Sequence, residues 1–212
     1  DMTMGVMKLA PVGVFCLIAR TFAGLGLDAF VPLLKYMLAV LLALAGQVGV
    51  YQLLLKLFTG LNPIRFLKKF APVMAFAFST ATSNATIPLS IDTLAKKMGV
   101  SKRISSFTVP LGATVNMDGT AIMQGVAVVF AAQAFHIQLT TADFLTVIAT
   151  ATLASIGTAG VPSVGLVTLS MVFNSVGLPV EAIGLIMGID RILDMTRTAV
   201  NITGDAVCTT IV

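Results

Sequence analysis

Ser79-Thr80-Ala81-Thr82-Ser83-Asn84-Ala85-Thr86-Ile87-Pro88 lies midway along a largely apolar stretch, residues 70–95, with a basic cluster at each end. Lys56, Arg65, Lys68 and Lys69 precede it, and Lys96, Lys97, Lys102 and Arg103 follow. In a membrane chain both clusters belong on the cytoplasmic side. The stretch is long enough for one crossing, yet one crossing would put its two basic ends on opposite sides. A re-entrant hairpin resolves the conflict. Its expected tip is 79–88, where small polar residues and a proline interrupt the helix and satisfy backbone groups that lipid would orphan.

Composition makes the membrane the solvent. Of 212 residues, 57% are hydrophobic and 10% charged, with mean hydropathy +1.00, against roughly 25% charged in an average soluble domain. Apolar stretches at 2–19, 29–55, 104–135, 144–176 and 181–212 have about the 20 residues or more that a crossing helix needs. The expected fold class is therefore an all-α polytopic membrane protein. The net charge of +4 comes from basic residues at the edges of apolar stretches, a positive-inside bias rather than a nucleic-acid surface. No signal-peptide pattern is visible. The opening Asp-Met-Thr-Met-Gly reads as the start of a piece of a longer protein. Cys16 and Cys208 lie inside apolar stretches, where buried thiols are commoner than disulfides, and no role is assigned to them.

A second hairpin follows from the flanks of 144–176. They carry His136, Asp143 and Glu181 but no lysine or arginine, which favours the outside for both ends. Ser155-Ile156-Gly157-Thr158-Ala159-Gly160-Val161-Pro162 breaks the helix at mid-depth with two glycines and a proline; an ordinary kinked span is the alternative. An internal repeat supports the pair. Thr86-Ile87-Pro88 echoes Gly160-Val161-Pro162, and Asn116-Met117-Asp118-Gly119-Thr120 echoes Asn201-Ile202-Thr203-Gly204-Asp205. Hairpin then broken span occurs twice, entering from opposite sides, the inverted arrangement that secondary transporters use to place a site near the midplane. The expected divisions are 1–58, helices preceding the core; 59–135, first hairpin and broken helix; and 136–212, second hairpin and final helix.

Asp190, Arg191, Asp194, Arg197 and Asp205 fall in an otherwise apolar final span, at about 2.5–3.5 kcal/mol each on insertion scales. Asp190, Asp194, Arg197, Asn201 and Asp205 are spaced 4, 3, 4 and 4, which puts all five on one narrow helical stripe turned away from lipid. Internal salt bridges explain part of this, since Asp194 and Arg197 are spaced for a helical pair. They leave Asn201, Asp205 and a second carboxylate, Asp118, unexplained. A helix broken at Asn116 to Gly119 frees carbonyls beside Asp118, and such oxygen clusters suit hard cations, with sodium the expected guest. For Asn116 alone, bonding the kinked backbone is an equal reading. Arg197 matches a carboxylate bidentately, and Asp194 one turn away could receive an ammonium group.

Four segments now resemble a known family. Ser83 to Pro88, Pro110-Leu111-Gly112-Ala113-Thr114-Val115-Asn116-Met117-Asp118-Gly119-Thr120, Ser155 to Pro162, and Asp194 to Asp205 are similar, in order and over essentially the whole chain, to the glutamate transporter family, the dicarboxylate/amino acid:cation symporters. The resemblance implies trimers whose mobile transport domain slides past a fixed scaffold in an elevator-like motion, in a cell or inner membrane. It implies that Arg197 holds the substrate's side-chain carboxylate and Asp194 its amino group. Ser83, Thr120, Val161, Gly165, Thr198 and Asn201 complete the substrate set. For sodium it implies one site from Gly112, Asn116, Asn201 and Asp205, another from Asp118 with Asn116 and an upstream span, and a third from carbonyls of Thr114, Ser155, Ile156 and Thr158.

Departures from the family pattern are Ala81 and Met195, where some relatives carry arginine. Arg191 is expected to supply that charge from one turn away. Neutral-amino-acid relatives tend to lack the arginine matching Arg197, and plain dicarboxylate relatives the aspartate matching Asp194. The expected function is therefore sodium-coupled symport of aspartate or glutamate, with sodium as the co-transported ion and a homotrimer completed by an N-terminal scaffold. A C4-dicarboxylate symporter coupled to sodium or protons is the alternative. An ion channel and a purely structural subunit are further readings. An enzyme is not expected, because His136 has no nucleophile or carboxylate at a recognisable spacing.

Overall fold

The computed structural model of the protein describes residues 30–212 together with Phe15, Cys16 and Ala19. The expected span at 2–19 and the first half of the 1–58 division lie largely outside the described residues. Among those residues there is no strand, as the composition predicts. The helices are α1 (Phe30–Thr59), α2 (Pro63–Thr80), α3 (Ser83–Met98), α4 (Lys102–Val115), α5 (Asp118–Ala134), α6 (Thr141–Ser155), α7 (Val164–Ser175) and α8 (Ile183–Ile211), with a 3-10 turn at Val180–Ala182.

α1 is apolar on every side. Leu33, Tyr36, Val40, Leu44, Tyr51 and Leu55 are buried, while Leu34, Leu38, Leu42, Val50, Leu53 and Leu57 are exposed along the opposite face. A contiguous leucine stripe of that length is a face for lipid or protein rather than water. Val31–Thr59 and Lys102–Ala134 are each long and apolar enough to cross a membrane. The second of these is interrupted: α4 stops at Val115 and α5 starts at Asp118, so Asn116 and Met117 stand outside regular helix, where the sequence places a break.

α2 and α3 form a helical hairpin. Asn62 caps α2 by accepting from the backbone of Ile64 and Arg65, with Pro63 in the first turn where its missing N–H costs nothing. α2 ends at Ala81 in the left-handed region, φ 51°, and Thr82 caps α3. At the open end Lys69 Nζ donates to the Lys97 carbonyl at 2.7 Å. The break is narrower than the expected 79–88, because Pro88 sits inside α3. So near the helix start, its ring costs one hydrogen bond, to the Asn84 carbonyl, and does not end the helix.

α6 opens with a capping box, Thr140 and Asp143 bonding each other's backbone. It ends at Ser155, and α7 begins at Val164. Residues 156–163 between them are irregular, with Gly157 at φ 80° and Ser163 at φ 61°. This second interruption is as wide as the glycines and proline predict.

The last span differs from its expected form. α8 runs unbroken for 29 residues, so the echo of Asn116–Thr120 at 201–205 is one of residue types, not of backbone. No proline stands there, and Thr203 Oγ1 bonds back to the Ala199 carbonyl within the helix. α8 is the axis of the fold, packing against α1, α2, α3, α4, α5 and α7. From Arg197 to Val207 every residue on it is buried.

Candidate functional site

The two helix interruptions of 81–82 and 156–163 meet above the polar face of α8. Thr82 Oγ1 donates to the Gly160 carbonyl at 2.5 Å, and the Asn84 N–H reaches the same oxygen at 3.5 Å. The contact is tight around glycine: a Cβ on residue 160 would lie 3.0 Å from Asn84 Oδ1 and 3.1 Å from Ser83 Cβ, so these neighbours would have to give by a few tenths of an ångström. Beneath the joined tips is a cavity of about 10 Å³, room for roughly one water molecule.

Ser83, Thr120, Val161, Gly165, Asp194, Arg197, Thr198 and Asn201 all line that cavity. The substrate residues expected from the sequence are therefore brought together from five separate segments, with one exception. Arg191 does not line it, is half-buried, and makes no hydrogen bond or ion pair among the described residues.

Arg197 is 1% exposed and held between two aspartates of its own helix. Its Nη2 donates to Asp194 Oδ1 at 2.9 Å, and its Nη1 lies 3.0 Å from Asp190 Oδ1. The first contact is a hydrogen bond and the second an ion pair without hydrogen-bond alignment. Nε and Nη1 have no hydrogen-bond acceptor, and the two oxygens of Asp190 have no hydrogen-bond donor. Unspent buried donors on a guanidinium are costly, and they suit a planar anion. The other carboxylate is filled differently. Asp194 Oδ2 accepts the Ser163 backbone N–H at 2.9 Å, which ties the second tip to α8. Gly165 is the floor of that tip: a Cβ there would stand 3.2 Å from Thr120 Cγ2 and 3.4 Å from Arg197 Nη2.

Two turns further along α8 the polar face becomes oxygen-rich. Asn116 Nδ2 donates to Asp205 Oδ1 at 2.9 Å and to the Asn201 carbonyl at 3.2 Å. Asn201 Oδ1 accepts the Gly119 N–H at 2.8 Å, and the Gly112 carbonyl accepts that of Asn116 at 2.7 Å. Gly112, Asn116, Asn201 and Asp205 are thus in mutual contact. Asp205 is buried and Asp118 half-buried, and neither has a basic partner among the described residues. A charged carboxylate without a basic partner in an apolar interior costs several kcal/mol, a cost that a proton or a bound cation removes. Of the carbonyls expected around the second tip, that of Thr114 accepts the Gly157 N–H at 2.8 Å and that of Ser155 the Thr158 N–H at 3.3 Å. Ser155 and Thr158 are buried beside it, whereas Ile156 is half exposed.

Several residues here escape sequence reasoning. Gln47 and Tyr51 on α1 both donate to Asp118 Oδ2, each at 2.8 Å. Their spacing of four in an apolar span signals a shared face and says nothing about its partner. Asp190 stands out as a charge on the stripe, but its grip on Arg197 is a matter of rotamers. Ser163 acts through its backbone, which no side-chain pattern reveals. Cys208 is exposed and unpaired, as is Cys16, not the buried thiols their apolar surroundings predict.

A small cavity lined by charged and polar side chains, on an all-helical frame with two helices long and apolar enough to cross a membrane, fits the class of membrane transporters. The profile described as "Sodium:dicarboxylate symporter family" matches residues 1–212, and the chain belongs to that family. Among its relatives, an "Excitatory amino acid transporter" of Caenorhabditis elegans is 41% identical over 208 residues, 97% of this chain and 41% of the relative. A "Neutral amino acid transporter B(0)" of Mus musculus is 42% identical over 95% of the chain and 37% of its own length. A "Neutral amino acid transporter A" of Homo sapiens is 40% identical, with 95% and 38% covered. The chain spans about two fifths of the length of these curated relatives.

Proposed function

We propose that the protein is a sodium-coupled symporter of acidic amino acids, aspartate or glutamate. The observation that carries this reading is the make-up of α8. A buried guanidinium whose Nε has no partner and whose Nη1 is ion-paired to Asp190 without a hydrogen bond stands eight residues, about 12 Å along a helix, from a buried carboxylate with no cation. Arg197 takes the side-chain carboxylate of the substrate and Asp194 its ammonium group, with Ser83, Thr120, Val161, Gly165, Thr198 and Asn201 enclosing it. Arg191 has the smallest part, a distant positive charge.

Sodium occupies the oxygens of Gly112, Asn116, Asn201 and Asp205, and a second ion the Asp118 carboxylate with Asn116. Thr114, Ser155, Ile156 and Thr158 give the carbonyls of a third site. Sodium is cargo here: its charge offsets Asp118 and Asp205, so the loaded core crosses the bilayer nearly neutral. Relatives named for excitatory and for neutral amino acids match this chain about equally well, so substrate choice rests on Arg197. A neutral side chain would leave its donors unmet.

The two interrupted hairpins are read as entering from opposite sides, that of 70–95 from the cytoplasm and that of 144–176 from outside, with the tips as gates. Residues 59–135 and 136–212 form the two halves of a mobile transport unit, and 1–58 its connection to a trimeric scaffold in the cell membrane. An amino acid is several times larger than the 10 Å³ cavity, so the second tip must lift for it to enter. The test is uptake of labelled aspartate into vesicles bearing the full-length protein. Sodium gradients are expected to drive accumulation; equal uptake with choline in place of sodium refutes the coupling. Succinate outcompeting aspartate favours the C4-dicarboxylate alternative.

A further inference from the structure

We infer that Gln47 and Tyr51 of α1 are positioning residues for the cation held by Asp118, an inference that rests on the sodium sites proposed above. Asp118 Oδ2 accepts two hydrogen bonds, from Gln47 Nε2 and the Tyr51 hydroxyl, both at 2.8 Å. Asp118 Oδ1 accepts none among the described residues. A carboxylate held at one oxygen by two donors on a rigid helix has its rotation about Cβ–Cγ fixed, so the other oxygen keeps a constant direction. Loss of such an outer partner typically weakens ion binding by about 10–100-fold.

Tyr51 does more than donate. It is 4% exposed and its ring lies against α8 at Gly204, where an added Cβ would come within 2.6 Å of both Cζ and the hydroxyl oxygen. Gly204 immediately precedes Asp205, whose Oδ1 is bound by Asn116. The tyrosine is thus wedged between the two carboxylates that lack basic partners, touching one directly and backing the chain segment of the other. Gln47, one turn earlier on the same face, adds a neutral donor. Neither residue contributes charge, so both order the acidic pair without neutralising it. That arrangement leaves the compensating charge to an ion, whereas a lysine or arginine at either position would supply it permanently.

The experiment is a thermal-shift titration of the detergent-solubilised full-length protein with sodium chloride, at ionic strength held constant with choline, for the unsubstituted protein, Tyr51→Phe and Gln47→Leu. The rise of the melting temperature with sodium gives an apparent Kd for the ion. Each substitution is expected to raise that Kd about tenfold, while the aspartate Kd at saturating sodium stays within twofold. A merely structural role lowers the melting temperature at every sodium concentration and leaves the sodium Kd within twofold of the unsubstituted value. That result in both variants overturns the inference and leaves the symport reading standing. An unsubstituted protein whose melting temperature does not respond to sodium overturns both.

Discussion

A Cβ placed on Gly112 of α4 would lie 2.5 Å from Oδ1 of Asp205 and 3.1 Å from its Cβ. The carboxylate could swing aside, but its own Cβ is fixed to α8, so the contact cannot be relieved by one rotation. Gly112→Ala is expected to destabilise the protein by about 1–3 kcal/mol, the usual cost of overpacking, and to weaken sodium binding by displacing Asp205. Gly46→Ala is the control. Nothing lies within 4 Å of the site of its new methyl, and replacing a mid-helix glycine gains about 0.5–1 kcal/mol. Melting temperatures of the two variants should move in opposite directions.

Arg197 holds Asp190 and Asp194 together, so Arg197→Ala leaves two buried carboxylates unpaired. Loss of about 3–5 kcal/mol is expected, as for other broken buried pairs, along with loss of aspartate binding. Adding Asp190→Asn should restore part of the stability and none of the binding. If the double variant bound aspartate as the unsubstituted protein does, Arg197 would not be the carboxylate receptor.

Ser163 sits at φ 61° while its N–H bonds Asp194. Left-handed backbone costs a non-glycine residue about 1–2 kcal/mol, so Ser163→Gly should raise the melting temperature with the N–H intact. Ser163→Pro removes the donor and cannot reach that φ. Its expected signature is a loss of aspartate affinity of tenfold or more in a titration at saturating sodium.

Asp205→Asn keeps a hydrogen-bonding oxygen for Asn116 but removes the charge. With no basic partner to leave stranded, the folded state should be as stable as before or more so, and its response to sodium should fall sharply. Lower stability with an unaltered sodium response in the thermal shift would point instead to a structural carboxylate.

How much of this was legible beforehand follows from where each signal resides. The stripe from Asp190 to Asp205 was readable because helix geometry turns a spacing of 4, 3, 4 and 4 into a face without help from the rest of the fold. The interruptions at Asn116 and at 156–163 were readable from glycine, proline and asparagine. Pro88 misled by the same logic, since a proline near a helix start costs far less than one at its centre. The supposed break at 201–205 failed because Asn201 turns its amide to Gly119 on a neighbouring helix, a tertiary contact that residue types alone do not encode. Gln47 and Tyr51 were invisible for a related reason: nothing in α1 announces that Asp118, 67 residues or more away, is their acceptor. Arg191 falls outside the 4, 3, 4, 4 spacing and was given its role by the family resemblance alone; it does not line the cavity.

The joined tips finally set a scale for access. Among the described residues the bonds from Thr82 and Asn84 to the Gly160 carbonyl cross between them, and those from Ser163 to Asp194 and from Gly157 to Thr114 tie the second tip to the helices below. At about 0.5–1.5 kcal/mol for each neutral bond and about 1.5–3 for the one to a carboxylate, the set amounts to roughly 3–7 kcal/mol. The chamber would then be reached by rare, thermally driven openings, and anything that occupies the Gly160 oxygen would set how often the door stands ajar.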